Sequence, residues 1–412
     1  MTQTQAPAGA ADRHDVIILG GGLVGASLAI ALGQAGLRCA LIDRDTPADQ
    51  RQDAFDGRGS AVSLASKRVL AGLGIWDAIE EKGPILDIRV SDGPSRLFLH
   101  YDHRTVGDEP MGWIIENRFL RRAQHKIVAQ TPNVDWLAPA AAAGFERGPG
   151  WVGLTLTDGR RLTAPLLVGA EGRKSQVRDW AGITVRRIDY RQTGIVCAVE
   201  HEKPHNGIAH ERFLPIGPLA LLPLEHPNRS SVVWTEDPAK VADFLALSDD
   251  DFAFEIERRF GPWLGKLSMV GPRWNYPLTA LMANRFYGDR IVLAGDSAHG
   301  VHPIAGQGVN LGWRDVAALA ELLIEAARTG TDLGSPALLK RYDAWRRPDC
   351  VGMLAATDVL NRLFATDFPP VRLARDLGLA AVNRVEPLKR VLIRHAMGVL
   401  GRQPKLVRGE RV

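Results

Sequence analysis

Six residues near the start of the chain, Gly20-Gly-Gly22-Leu-Val-Gly25, constrain its fold more than any other feature. They follow the apolar run Asp15-Val-Ile-Ile-Leu19 and precede Ser27-Leu-Ala-Ile-Ala-Leu32, which favours a helix until Gly33 and Gly36 stop it. Arg38-Cys-Ala-Leu-Ile-Asp43 then reads as a second buried strand. Strand, glycine turn, helix and strand make a βαβ unit, so the expected core is a parallel sheet covered by helices. The spacing fits G-x-G-x-x-G, and its context gives each glycine a task. Gly20 makes the tight turn, Gly22 lets a pyrophosphate approach the backbone, and Gly25 lets the helix pack closely on the strand. The free N–H groups and the positive end of the helix dipole then face the phosphates. Asp43, at the end of the second strand, is placed to accept hydrogen bonds from an adenosine ribose.

The same region imitates a membrane span, because Val16 to Leu37 runs for 22 residues without a charge. Six glycines interrupt it, and the first four fall where a spanning helix would need its backbone bonds closed. Met1 to Asp12 lacks the basic and then apolar order of a secretory signal. At 412 residues the chain has room for two to three domains or one two-lobed enzyme. Hydrophobic residues at 45% and charged ones at 24% exclude a disordered or collagen-like chain. A net charge of +4 gives no argument for a nucleic-acid partner. Cys39, Cys197 and Cys350 are odd in number and far apart, which disfavours a disulfide framework and suits a reducing, cytoplasmic setting.

Further along, Trp151 to Thr157 and Arg161 to Ala170 flank Asp158-Gly159, a hairpin signal whose second arm ends in Leu166-Leu-Val-Gly-Ala170. Arg290-Ile-Val-Leu-Ala-Gly295 is a third core strand, and Leu311, Asp315, Leu319, Leu322 and Leu323 recur at helical spacing within Gly308 to Arg328. The middle, from about Ile183 to Asn275, alternates β-type residues and is rich in Pro and Trp, as in Ser231-Val-Val-Trp234. The expected fold class is α/β. A Rossmann-like nucleotide domain with a parallel sheet takes 13–78, 104–182 and 276–360. An inserted, mainly antiparallel β substrate lobe takes 79–103 and 183–275, and a C-terminal helical region takes 361–412.

Two more segments say which dinucleotide is held. Asp56-Gly-Arg58-Gly-Ser-Ala61 puts a guanidinium in a glycine-flanked loop where it can lie on the same pyrophosphate. Gly295-Asp296-Ser-Ala-His299 follows a core strand, and Pro303-Ile-Ala-Gly306-Gln-Gly308-Val309-Asn310 opens a helix. A carboxylate beside a second helix N-terminus suits a polyol chain and a ring that gains negative charge on reduction, which are the ribitol and the reduced flavin of FAD.

Together with Val168-Gly-Ala-Glu-Gly-Arg-Lys-Ser-Gln-Val-Arg178, these motifs resemble those of the single-component flavin aromatic hydroxylases related to p-hydroxybenzoate hydroxylase, the class A flavoprotein monooxygenases. Gly295 to Asp315 is similar, more narrowly, to the hydroxylases of ubiquinone biosynthesis. The resemblance covers roughly residues 14 to 402, with four motifs in family order. It implies Asp43 at the FAD ribose, Arg58 and Asn117 on the pyrophosphate side, Asp296 at the ribitol, and the Gly306, Gly308, Val309 and Asn310 backbone at the isoalloxazine. The family's Asp-Gly pair is Glu171-Gly172 here, which moves the charge by a methylene and sets aside roles that depend on exact reach, NAD(P)H contact included.

The resemblance also implies a reaction. NAD(P)H reduces FAD, O₂ adds to give a flavin C4a-hydroperoxide, and the distal oxygen attacks an electron-rich phenol ring, so the protein's task is placement and exclusion of water. No second G-x-G-x-x-G is visible, so NAD(P)H docks transiently as reductant. The implied partners are a polyprenyl phenol or quinone-type substrate, O₂ and other proteins of ubiquinone biosynthesis. No acid or base is assigned. Two rivals stay open: an FAD-dependent oxidase or dehydrogenase of another small molecule, and a non-catalytic FAD-bearing scaffold subunit. Trp234 and its neighbours are expected to wall an apolar substrate pocket.

No metal site is expected. His201-Glu-Lys-Pro-His205 matches H-E-x-x-H, but Pro204 prevents the helix that would bring both histidines to one face. His299 and His302 are expected to be hydrogen-bonded structural residues. At the C-terminus, Leu388, Leu392, Ala396 and Val399 recur on one helix face, with Lys389, Arg390, Arg394 and Arg402 nearby. That composition suits peripheral contact with anionic lipid at the inner face of the membrane, and equally a helix packed on the FAD domain.

Overall fold

A computed structural model describes residues 12–50, 58–93, 95, 98–105, 107–364, 375, 378 and 384–412. At its centre lies a six-stranded sheet in the order Tyr287–Gly288, Ile291–Leu293, Leu166–Gly169, Val16–Leu19, Cys39–Ile42, Val134–Leu137. All neighbours are parallel except the edge pair formed by Tyr287–Gly288. Val16–Leu19, Cys39–Ile42 and Leu166–Gly169 are buried at every residue, as continuous apolar runs must be when both faces are covered. The helices Leu23–Gln34 and Gly308–Arg328 pack together over this sheet. The uncharged stretch from Val16 is thus strand, turn and helix, and among the described residues no helix is long and apolar enough to cross a membrane.

The hairpin at Asp158-Gly159 forms, joining Trp151–Leu156 to Arg161–Ala164. Its second arm is two strands, however, because Pro165 has no N–H to continue the ladder, and Leu166–Gly169 leaves for the parallel sheet.

The second large layer is an eight-stranded sheet in the order His299–Gly300, Leu267–Ala283, Val185–His201, Arg229–Glu236, Pro218–Pro223, Ile208–Phe213, Asp87–Asp92, Phe98–Asp102. It is antiparallel except where Ile208–Phe213 meets Asp87–Asp92. The strand Leu267–Ala283 runs past residue 275, and its end pairs with His299 and Gly300, so the sheet is stitched to the loop after Ile291–Leu293. The helix Pro336–Phe364 likewise runs past residue 360.

The two faces of this sheet do different work. On the far face Ile195, Cys197, Val199, Leu219, Leu221, Val232 and Trp234 form a core with Phe252, Ile256 and Phe260 of the helix Asp249–Phe260. On the near face Ala198 and Ala209 join the nucleotide-domain core, while Phe213 and Val90 pack with Ile304 and Phe364. The expectation for Trp234 is therefore corrected. Alternation puts it on the face of Val232, where it is 1% exposed and carries the Arg259 guanidinium 4.5 Å above its ring. It lines the lobe's own core, and the near face walls the space toward the nucleotide domain.

The C-terminal helix Glu386–Ala396 also differs from expectation. Its packed side chains are Lys389, Ile393 and Met397, with Lys389 7% exposed and so removed from the basic surface. Leu392 and Ala396 face solvent beside Val391, Leu400, Arg390 and Arg394. The side chain of Leu388 lies outside the described residues.

Candidate active site

The C-terminal ends of Cys39–Ile42, Val16–Leu19, Leu166–Gly169 and Ile291–Leu293 stand side by side, and each leads into one of the motifs. Asp43, Gly20, Glu171 and Gly295 are thereby gathered along one edge of the sheet, where open parallel sheets bind ligands.

The first loop is fixed by backbone packing. Gly20 has φ +106°, and a Cβ there would stand 2.5 Å from the carbonyl of Ala170. At Gly25 a Cβ would stand 1.9 Å from the Gly20 oxygen. Gly22 is the opposite case, with no heavy atom within 4 Å of where its Cβ would be, and it leads the helix Leu23–Gln34 without any side-chain cap. The backbone approach expected at Gly22 is open. Asp43 accepts from the Gly21 N–H at 2.6 Å and the Asp45 N–H at 2.9 Å, which holds its carboxylate against the loop.

The second loop is fixed by side chains. Asp315, fully buried on the helix Gly308–Arg328, accepts from the Gly295 N–H at 3.0 Å, pairs with His299 Nε2 at 2.6 Å, and receives Arg346 Nε at 2.7 Å. Burial pushes the Asp315 carboxyl up, but His299 and Arg346 outweigh it and hold it below the usual carboxylate range. His302 accepts from the Ile304 N–H at 3.2 Å and meets Gln192 Oε1 at 3.2 Å, and burial lowers its pKa to about 4. Both histidines are buried and hydrogen-bonded, as expected. Asn310 donates to the Ala61 and Gly306 carbonyls at 2.7 and 3.0 Å and accepts from the Ser63 N–H and Ser66 hydroxyl at 2.9 and 2.7 Å. Gly306 sits at φ +59° with room for no Cβ against Ala61, whereas Gly308 is open like Gly22. Val309 is half-buried beside it.

Between the loops, Asp296 takes the Arg173 Nε at 3.1 Å, and Arg173 is anchored on Thr279. Glu171 accepts from the Val177 N–H at 2.8 Å and the Ser297 hydroxyl at 3.3 Å, so the longer carboxylate joins the Leu166–Gly169 turn to the Gly295 turn. Asn117 opens the helix Asn117–Gln130, donates its N–H to the Arg58 carbonyl at 2.9 Å and accepts from Ser60 Oγ at 2.6 Å. Arg58 is exposed. Asp56 and Gly57 of that motif lie outside the described residues. The sequence reading does not single out Arg173, Ser297 or Asp315 as site residues. The signal for Asp315 is an acidic residue on an otherwise apolar helix stripe, which requires a buried partner.

His201 and His205 stand at a strand end and in the following loop, bonded to Lys203 O and Ser230 Oγ and to Leu224 O, not on one helix face. The three cysteines are buried free thiols.

Two helix N-termini at this edge, those of Leu23–Gln34 and Gly308–Arg328, carry no side-chain cap, and neither does that of Asn117–Gln130 beside the Arg58 loop. Elsewhere Ser63, Asp237 and Ser248 cap theirs. N–H groups left for a ligand, two glycines open to close approach, and two carboxylates at Asp43 and Asp296 fit the phosphates, ribose and ribitol of FAD.

Comparisons with known proteins agree. The model of the FAD binding domain family matches residues 13–357. Ubiquinone hydroxylase UbiL of Rhodospirillum rubrum is 51% identical over 406 residues, covering 97% of this chain and 94% of that protein. The 3-demethoxyubiquinol 3-hydroxylase of Escherichia coli is 34% identical over 388 residues, covering 93% and 98%. Among solved structures, p-nitrophenol 4-monooxygenase PnpA from Pseudomonas putida shares the fold at a TM-score of 0.80 and 20% identity, covering 95% of this chain and 100% of that one. The chain belongs to the FAD binding domain family and, within it, to the hydroxylases of ubiquinone biosynthesis.

Proposed function

We propose that this protein is an FAD-dependent monooxygenase that hydroxylates the aromatic ring of a polyprenyl phenol intermediate in ubiquinone biosynthesis, with NAD(P)H as transient reductant. The observation that carries this reading is the crevice itself, where two open glycine positions and two carboxylates gather at one edge of the parallel sheet. FAD held there would supply a hydride acceptor for the nicotinamide and the means to activate O₂ for transfer of one oxygen atom to the ring. The chain's own residues position and enclose. Gly22 and Gly308 admit the cofactor to the backbone, Asp43 and Asp296 hold its sugar and ribitol hydroxyls, and Arg58 and Asn117 stand on the pyrophosphate side. Val90, Ala209, Phe213 and Ile304 supply apolar surface that keeps water from the reacting centre. The C-terminal helix, with Val391, Leu392 and Leu400 exposed beside Arg390 and Arg394, suits weak peripheral contact with an anionic membrane, from which so apolar a substrate must come.

The test is mass spectrometry of the quinone intermediates in a strain lacking the gene, with turnover by the purified yellow protein. Accumulation of an intermediate one oxygen short, and NAD(P)H consumption coupled to a hydroxylated phenol, are expected. Stoichiometric peroxide with no hydroxylated product identifies an oxidase instead, and bound FAD with no substrate-coupled NAD(P)H consumption identifies a scaffold.

A further inference from the structure

One carboxylate on the near face of the eight-stranded sheet has no partner among the described residues. Along Ile208–Phe213 the side chains alternate. His210 meets the Phe260 ring and Arg212 donates to the Phe260 carbonyl, both on the far face. Ala209 and Phe213 pack toward the nucleotide domain, so Glu211 between them points the same way. Its cross-strand neighbours are Val90 and Ala220. Val90 and Phe213 touch Ile304, from the turn Pro303–Ala305 that leads into Gly306. Glu211 therefore stands in the wall opposite the loop that suits the isoalloxazine. It is half-buried, as a side chain lining a cleft is.

Among the described residues, the charged and titratable groups around this carboxylate are already committed. Asp92, on the same face one turn of the pleat away, holds Arg375 at 2.6 Å. Asp358 and Arg362 pair at 2.9 Å on the helix Pro336–Phe364. Tyr101 is pushed up to about 12 by burial and His302 down to about 4, so both are neutral. The strand Pro218–Pro223 offers no titratable side chain. An unpaired carboxylate in apolar surroundings costs stability, and such groups concentrate where a ligand uses them.

We propose that Glu211 is a catalytic residue that accepts the proton of the substrate's ring hydroxyl. In this step the phenol O–H bond breaks, the proton goes to a Glu211 carboxylate oxygen, and the electron pair stays on the ring oxygen. From there it spreads to the ortho and para carbons and makes them nucleophilic toward the transferred oxygen. The hydroxylated product takes the proton back, and the carboxylate is restored. Burial alone raises the Glu211 pKa to about 8, which brings it toward a phenol's and leaves it able to exchange a proton near neutral pH. The assignment rests on the function proposed above.

Glu211→Gln and Glu211→Leu test it in the full-length holoprotein. Both variants are expected to keep full FAD content and an unlowered thermal midpoint, because the lost charge has no partner among the described residues. With a geranyl-substituted phenol, kcat in the Gln variant is expected to fall about 10²- to 10⁴-fold with KM changed far less, and the acid limb of the wild-type pH profile near 8 to disappear. A second readout needs no turnover: with 2-geranyl-4-nitrophenol, the midpoint at which the bound phenol becomes its coloured phenolate shifts in the Gln variant. Wild-type turnover with the acid limb intact in the Gln variant overturns the assignment alone. A wild-type protein that holds FAD but hydroxylates no prenyl phenol overturns the proposed function, and the assignment with it.

Discussion

The two glycine loops present backbone to the same crevice, but they are held there by opposite means. At Gly20–Gly25 the constraint is steric, with the Gly20 oxygen and the Ala170 carbonyl occupying the space that side chains would need. At Gly295–Asn310 it is a network of buried polar side chains, with Asp315 on the Gly295 turn and Asn310 making four hydrogen bonds to Ala61, Gly306, Ser63 and Ser66. Gly20 and Gly25 tolerate no added atom, whereas Gly295 and Asn310 hold their loop through hydrogen bonds and do not tolerate the loss of a partner.

Gly25→Val gives the largest effect. Its Cβ would meet backbone at 1.9 Å, which cannot rotate away, so a loss above about 4 kcal/mol and failure to accumulate as soluble folded protein are expected. Recovery of a stable, folded Gly25→Val variant would break the steric half of the comparison. Asn310→Ala comes next. It strands the buried Ser63 N–H and Ala61 carbonyl, so a loss of about 3 kcal/mol is expected in thermal unfolding without FAD, together with weaker flavin binding. An unchanged midpoint would show that side chains do not hold the second loop. Gly22→Val sharpens the contrast within the first loop. With open space around Gly22, stability of the FAD-free protein should change by about 0.5 kcal/mol or less while flavin affinity falls at least about tenfold in equilibrium titration. Full affinity in this variant would remove the pyrophosphate from that loop.

The smallest effect concerns the C-terminal helix, which is tied to the second loop through Gln307 Nε2 and the Ala396 carbonyl at 3.2 Å. Truncation after Arg384 would strip Ile393, Met397, Leu406 and Val407 from the core, so charge reversal is the cleaner probe. Arg390→Glu with Arg394→Glu should weaken sedimentation with anionic liposomes by about 1 kcal/mol per site at low salt and leave FAD content unchanged. Equal sedimentation of variant and wild type takes the helix out of the membrane account.

Much of this is legible from local pattern. The βαβ unit, the turn at Gly20 and close packing at Gly25, the Asp158-Gly159 hairpin and the helix from Gly308 follow from spacing, because they depend on residues close in sequence. The misreadings share a cause. Pattern alone puts Trp234 on a pocket wall and Lys389 on a basic surface. Alternation and helical period say which residues share a face, but not what lies beyond it.

The sequence by itself determined that a glycine turn joins a buried strand to a helix in a βαβ unit, since sterics and helix propensity act over a few residues. Tertiary structure alone decided which motifs meet there. Parallel pairing sets residues 20, 171 and 295 side by side, and only then do Ser297, Arg173 and Asp315 find Glu171, Asp296 and the Gly295 turn. It also decided which face of the eight-stranded sheet Glu211 shares with the crevice. A long-range contact carries no local periodicity, because its partners are chosen by packing between segments far apart in the chain.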